Sequence, residues 1–114
     1  MNLDELIENI LNISNENAVK GLGLFIAGFK NDDRNINEWT NSVEKYFGNI
    51  WIENEEDHNK IYKMWSDFKN NVIKNINGMT MNERLYLFGL MEKYDLCKNE
   101  KKREIIYKKL NAEI

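Results

Sequence analysis

Apolar residues recur at three- and four-residue spacing along almost the whole chain, the period of helices with one buried face. Leu3, Leu6, Ile7, Ile10 and Leu11 mark a first amphipathic helix that should stop near Ser14. Its early turns hold Asp4, Glu5 and Glu8, where carboxylates favour the positive end of the helix dipole. Val19, Leu22, Phe25, Ile26 and Phe29 keep the same spacing in a second segment despite Gly21, Gly23 and Gly28. Each glycine weakens a helix, so their expected use is close approach of a neighbouring helix. After the polar loop from Asn31 to Asn35, with Asn35 as cap, the pattern predicts a helix from Ile36 to Phe47 with Trp39, Val43, Tyr46 and Phe47 facing inward. Gly48 and Asn49 read as its stop. Ile50, Trp51 and Ile52 form a short apolar run read as an extended connection, with a brief strand possible.

From Asn54 the longest helix is expected to reach about Ile76, with Ile61, Trp65, Phe68, Val72 and Ile76 as its buried stripe. Thr80 followed by Glu83 has capping-box spacing, so the stretch to Leu96 reads as one helix with an apolar arc too broad for the surface. It is expected near the centre of the domain. A last helix, from near Asn99, carries Ile105, Ile106, Leu110 and Ile114. With no proline and no alternating runs, the chain should be all-α, a single compact bundle of five to six helices over residues 1–114.

Composition narrows the function. A chain of 114 residues buries roughly two thirds of the surface its unfolded form exposes. Apolar content of 42% and aromatic content of 11% place it among globular proteins despite 31% charged residues. An acidic N-terminus and the lack of a long apolar run argue against a signal peptide or a membrane span, and point to the cytoplasm. The net charge of −3 conceals an asymmetry: residues 1–69 hold 13 acidic and 7 basic side chains, residues 70–114 hold 6 and 9. That balance disfavours a nucleic-acid binder held by phosphate contacts and suits a basic protein partner. Asparagine is abundant but interleaved with apolar periodicity, so it reads as residue bias and not as a prion-like tract.

Candidate chemistry is thin. His58 stands in an opening helical turn beside Glu55, Glu56 and Asp57, and reads as an exposed surface histidine. Cys97 reads as a buried or idle thiol. The run from Glu53 to Asp57 lacks calcium-loop spacing, and no catalytic, cofactor or metal residue is assigned. The glycines from Gly21 to Gly28 do not follow a strand and so do not form a nucleotide loop. In the basic last helix, Glu100 and Glu104 pair the lysines at helical spacing, leaving a solvated face. Trp39 and Trp65 lie on apolar stripes and read as core. Trp51 lies between helices beside carboxylates, the composition of an interface anchor with a charged rim.

Thr80, Asn82, Glu83, Arg84, Leu85, Gly89, Leu90, Tyr94 and Asp95 match a pattern T-x-N-E-R-L-x-x-x-G-L-x-x-x-[FY]-D, followed by a charged run and I-I-Y-K-K-L. Gly89 in it would admit a close neighbour, and Glu83 and Arg84 could pair locally. The stretch resembles the C-terminal end of small all-helical bacterial immunity proteins encoded beside polymorphic or contact-dependent growth inhibition toxins. The resemblance implies a non-enzymatic inhibitor that binds a cognate toxin, and charge suggests a basic nuclease domain as that partner. The surface expected to occlude it comprises Asp32, Asp33, Glu38, Glu53, Glu55, Glu56 and Asp57, with Trp51 as the apolar anchor. Two rivals are a phage-type anti-CRISPR inhibitor of a host nuclease, using the same acidic mimicry, and a helical DNA-binding regulator or adaptor resting on the last helix.

Overall fold

Polar caps decide where the helices begin. The computed structural model describes residues 1–112, which form α1 (Leu3–Leu11), α2 (Asn17–Ala27), α3 (Ile36–Asn49), α4 (Glu55–Asn71), α5 (Met81–Leu87), α6 (Met91–Asp95) and α7 (Glu100–Lys109). Short 3-10 turns follow α2 at Gly28–Lys30 and α4 at Ile73–Gly78. No strand occurs among the described residues, and Ile114, expected on the last helix, lies outside them. The expected capping box at Thr80 forms: the Glu83 amide donates to Thr80 Oγ1 at 3.2 Å and the Thr80 amide to Glu83 Oε1 at 3.1 Å. The same reciprocal cap joins Asn2 with Glu5 and Asn35 with Glu38. Asn54 and Asn99 cap α4 and α7 with single bonds from the Asp57 and Lys102 amides.

Interior boundaries differ from the periodic reading at three places. Helix α3 runs through Gly48 to Asn49 and ends because Ile50 is extended, at φ −100° and ψ 157°. Helix α4 stops at Asn71, where Asn75 Nδ2 donates to the Asn71 carbonyl at 3.1 Å and competes for the acceptor that a continuing helix would use. Its apolar stripe survives the change of winding, since Ile61, Trp65, Phe68, Val72 and Ile76 are all buried. The single helix expected over 80–96 is two helices broken at Gly89, whose φ is +67°. The Leu90 amide donates to the Leu85 carbonyl at 2.9 Å and the Gly89 amide to Tyr86 at 3.2 Å, the paired bonds of a left-handed C-terminal cap.

That break decides what this segment buries. In an unbroken helix Leu90 would lie about 200° around the axis from Phe88, on the opposite side. The turn at Gly89 brings Leu85, Phe88 and Leu90 all inward. A Cβ at Gly89 would fall 2.7 to 2.9 Å from the Asp4 carboxylate atoms, which Lys30 holds by an ion pair at 2.8 Å. Gly89→Ala should therefore cost about 1–2 kcal/mol from left-handed strain alone, measured by urea unfolding; a loss well under that would remove the cap from the account.

The core gathers around Trp39 on α3, and the 80–96 segment reaches it through Phe88. The Trp39 indole is fully buried, with ring centroids of Phe29 at 4.8 Å, Trp65 at 5.4 Å, Phe88 at 6.2 Å and Phe68 at 6.4 Å. Phe88 reaches the same cluster, so the Gly89 break and the Trp39 packing belong to one core. Helix α1 packs against α2 and α4. Gly23 makes the first contact possible, because a Cβ there would lie 2.9 Å from Leu11 Cγ. Gly21 faces the Tyr46 hydroxyl closely, whereas Gly28 meets only ordinary van der Waals distances, against the expectation of close helix approach there. No described helix is long and apolar enough to cross a membrane.

Candidate functional site

The connection between α3 and α4 is extended, and neighbouring side chains on extended backbone point to opposite sides. Ile52 is buried at 6% exposure and Trp51 is turned out at 80%, a fuller exposure than its place in the sequence suggested. Glu16, at the start of the second helical segment, holds this arrangement: its Oε1 accepts from the Glu53 amide at 2.7 Å. Asn54 fixes the next residues by capping α4. The connection is thus pinned by an apolar peg, a carboxylate and a cap, and it presents one large aromatic side chain to solvent.

Behind Trp51 lies a groove of about 680 Å³ between the end of α3 and the first turns of α4. Phe47 forms its aromatic floor, with its ring centroid 5.0 Å from His58 and 5.8 Å from Tyr62. His58 is therefore half-buried against a ring and not a free surface histidine. Glu53 and Glu55 line the same groove, and among the described residues neither carboxylate is in an ion pair. Glu56 is exposed and pairs with Lys60 at 3.7 Å, while Asp57 is half-buried in the first turn.

The other three acidic candidates lie elsewhere. Asp32, Asp33 and Glu38 stand at the N-terminal end of α3, and the groove at its C-terminal end; 14 residues of helix separate the ends by roughly 21 Å at about 1.5 Å per residue. Asp33 and Glu38 line a second cavity of about 210 Å³ together with Ile105 and Lys108 of α7. One continuous acidic surface is thus two separate ones, because a rigid helix stands between them.

Asp32 is committed internally. Lys109, only 7% exposed, donates to the Asp32 carbonyl at 2.7 Å, to Asp32 Oδ1 at 3.1 Å and to the Arg34 carbonyl at 2.9 Å. Its ammonium also sits 4.1 Å from the centre of the Phe29 ring. Arg34 forks onto Asp32 Oδ2 through Nε at 2.8 Å and through Nη2. Burial works to raise the Asp32 pKa, but the hydrogen bonds from Arg34 and Lys109 outweigh it and hold the carboxyl below its ordinary value. Burial pushes the Lys109 ammonium down, and Asp32 offsets only part of that.

Two basic residues read as surface charge or local pairing therefore hold α7 in place. Lys109 faces inward beside Ile106 and Leu110, and its position within the apolar arc of α7 was the available signal. Arg84, 8% exposed, donates to the Met79 carbonyl at 3.2 Å and the Leu110 carbonyl at 3.0 Å, so it does not pair with Glu83. On the outer face of α7, Lys108 pairs with Glu104 at 3.6 Å and Arg103 lies over the Tyr94 ring. Cys97 is half-buried and its thiol donates to the Lys93 carbonyl at 3.3 Å. Among the described residues, no group of three or more His, Cys, Asp or Glu side chains is placed to hold a metal ion. Comparison of the chain with protein family models, with curated proteins and with solved structures gives no match.

Proposed function

We propose that this chain is an inhibitor protein that acts in the cytoplasm by binding, an immunity protein that neutralises a cognate toxin whose docking surface is basic. The observation that carries the reading is the Trp51 groove: a tryptophan 80% exposed on a pinned connection, over an aromatic floor, with Glu53 and Glu55 among its lining residues. Exposing an indole in water forgoes the burial that stabilises a domain of this size, so a partner that covers it is the simplest physical use. The unpaired carboxylates favour a cationic partner and would speed its approach. The resemblance of the segment from Thr80 to Asp95 to immunity proteins supports the same reading. The Asp33 and Glu38 cavity is too far along α3 to share a small contact with the groove, and is set apart from the anchor.

The test is co-expression with the gene immediately upstream, scored by growth and by recovery of a one-to-one complex. Trp51→Ala should leave unfolding within about 0.5 kcal/mol of the parent, as expected for a surface change, and weaken the complex by about 2 kcal/mol, roughly 30-fold. Full protection and unchanged affinity in that variant would remove the groove from the inhibitory contact.

A further inference from the structure

Resting on the inhibitor reading, we infer that the groove is built to take an arginine side chain of the partner, followed by an apolar neighbour. Charge selects the kind of occupant. Glu53 approaches the groove from the connection and Glu55 from the first turn of α4, and neither is neutralised within the described residues. Glu55 stands at a helix start, where the dipole accounts for a carboxylate; Glu53 stands outside the helix, where it does not. A second copy of this chain seated across the groove would bring these carboxylates against their own counterparts, and a phosphate backbone would be repelled. A cation is left as the complementary group.

Shape selects which cation. The exposed indole of Trp51 offers a flat face, and a guanidinium is planar, weakly hydrated and able to stack on that face while its N–H groups point at carboxylates. An ammonium is a compact, strongly hydrated charge that gains less from a flat ring. Beyond the carboxylates, the floor is aromatic: the Phe47 ring packs on His58 at 5.0 Å and on Tyr62 at 5.8 Å and 57°, and Tyr62 remains 56% exposed. An apolar side chain next to the arginine would cover them. Because Ile52, Glu16 and Asn54 already hold the connection, little ordering is required on binding.

The test is an NMR titration of the full ¹⁵N-labelled chain, following the three tryptophan indole N–H signals, with Trp51→Phe identifying the one that belongs to Trp51. The probes are capped arginine–leucine, lysine–leucine and citrulline–leucine dipeptides at up to about 10 mM, a range that reads millimolar affinities. Arginine–leucine should shift the Trp51 signal saturably and leave those of Trp39 and Trp65 in place. Lysine and the uncharged citrulline isostere should bind at least about fivefold more weakly, and Glu53→Gln with Glu55→Gln should weaken the arginine peptide about tenfold. An unmoved Trp51 signal, or equal binding of the three peptides, overturns the inference. Loss of protection by Trp51→Ala together with equal peptide binding would leave the inhibitor reading standing and sink the arginine preference. Arginine preference in a chain that protects against no toxin would do the reverse.

Discussion

Trp39→Ala should lower the free energy of unfolding by about 3–5 kcal/mol, the range for removing a large buried aromatic side chain. The indole is fully buried and touches rings from Phe29, Trp65, Phe68 and Phe88, so the turn after α2, helix α4 and the end of α5 lose their common neighbour at once. Its Nε1 also donates to the Ile26 carbonyl at 3.3 Å, which ties α3 to the end of α2. A domain total of about 5–15 kcal/mol leaves little after such a loss, and a molten or unfolded variant is within the expected range. Trp39→Phe keeps most of the ring contacts and should cost less. Urea unfolding followed by far-ultraviolet circular dichroism gives the numbers. A loss for Trp39→Ala below about 1.5 kcal/mol would mean that the core closes without its central ring. Set beside Trp51→Ala, it shows how the same residue type acts on stability in one place and on binding in another.

Lys109→Met should cost about 2–4 kcal/mol and loosen α7, because it strands the Asp32 and Arg34 acceptors in a half-buried site. The lower part of that range reflects Asp32, whose side chain keeps 30% exposure and can partly rehydrate. Asp32→Asn alone should be milder, and the double variant should cost less than the two singles added, since each single change leaves a partner unmatched. Amide hydrogen exchange confined to α7 would distinguish release of this helix from global softening. Additive losses in the cycle would show that Lys109 and Asp32 do not act as a pair.

The same node sets a pH dependence. The Asp32 pKa is lowered in the folded chain, so the unfolded chain binds the proton more tightly. Its contribution is present above the ordinary value of 3.8 and is lost as pH falls through the lower folded value. Lys109 is also lowered, so between its folded value and 10.5 the unfolded chain again holds more protons and stability from this group rises with pH. Acid unfolding of the parent should be steeper below pH 3.8 than that of Asp32→Asn; identical acid limbs would remove Asp32 from the acid transition.

Local chemistry was readable wherever a residue acts on its sequence neighbours. Thr80 and Glu83 cap as their spacing required, Asn35 and Asn54 start helices, and the stripe from Ile61 to Ile76 is buried residue by residue. The Gly89 break was harder to see. Leu87, Leu90 and Met91 fit a wide helical arc, and glycine gives the same letter for close packing and for a left-handed cap. That Trp51 would stand apart from the core was legible because its run lies between helices beside carboxylates, while the role of Glu16 was not, since its bond to the Glu53 amide spans 37 positions.

By itself the sequence determined the all-helical class, the capped helix starts at Asn35, Asn54, Thr80 and Asn99, and the buried stripe of α4, because capping and apolar periodicity act within a few residues. Tertiary structure alone decided that Trp39 would be the centre, that Lys109 and Arg84 would turn inward to hold α7, and that Asp32 would answer Lys109. It also divided the acidic residues between the two ends of α3 and placed Glu53 and Glu55 along the same groove as an exposed indole. Charge counted along a chain has no direction in space; packing gives it one.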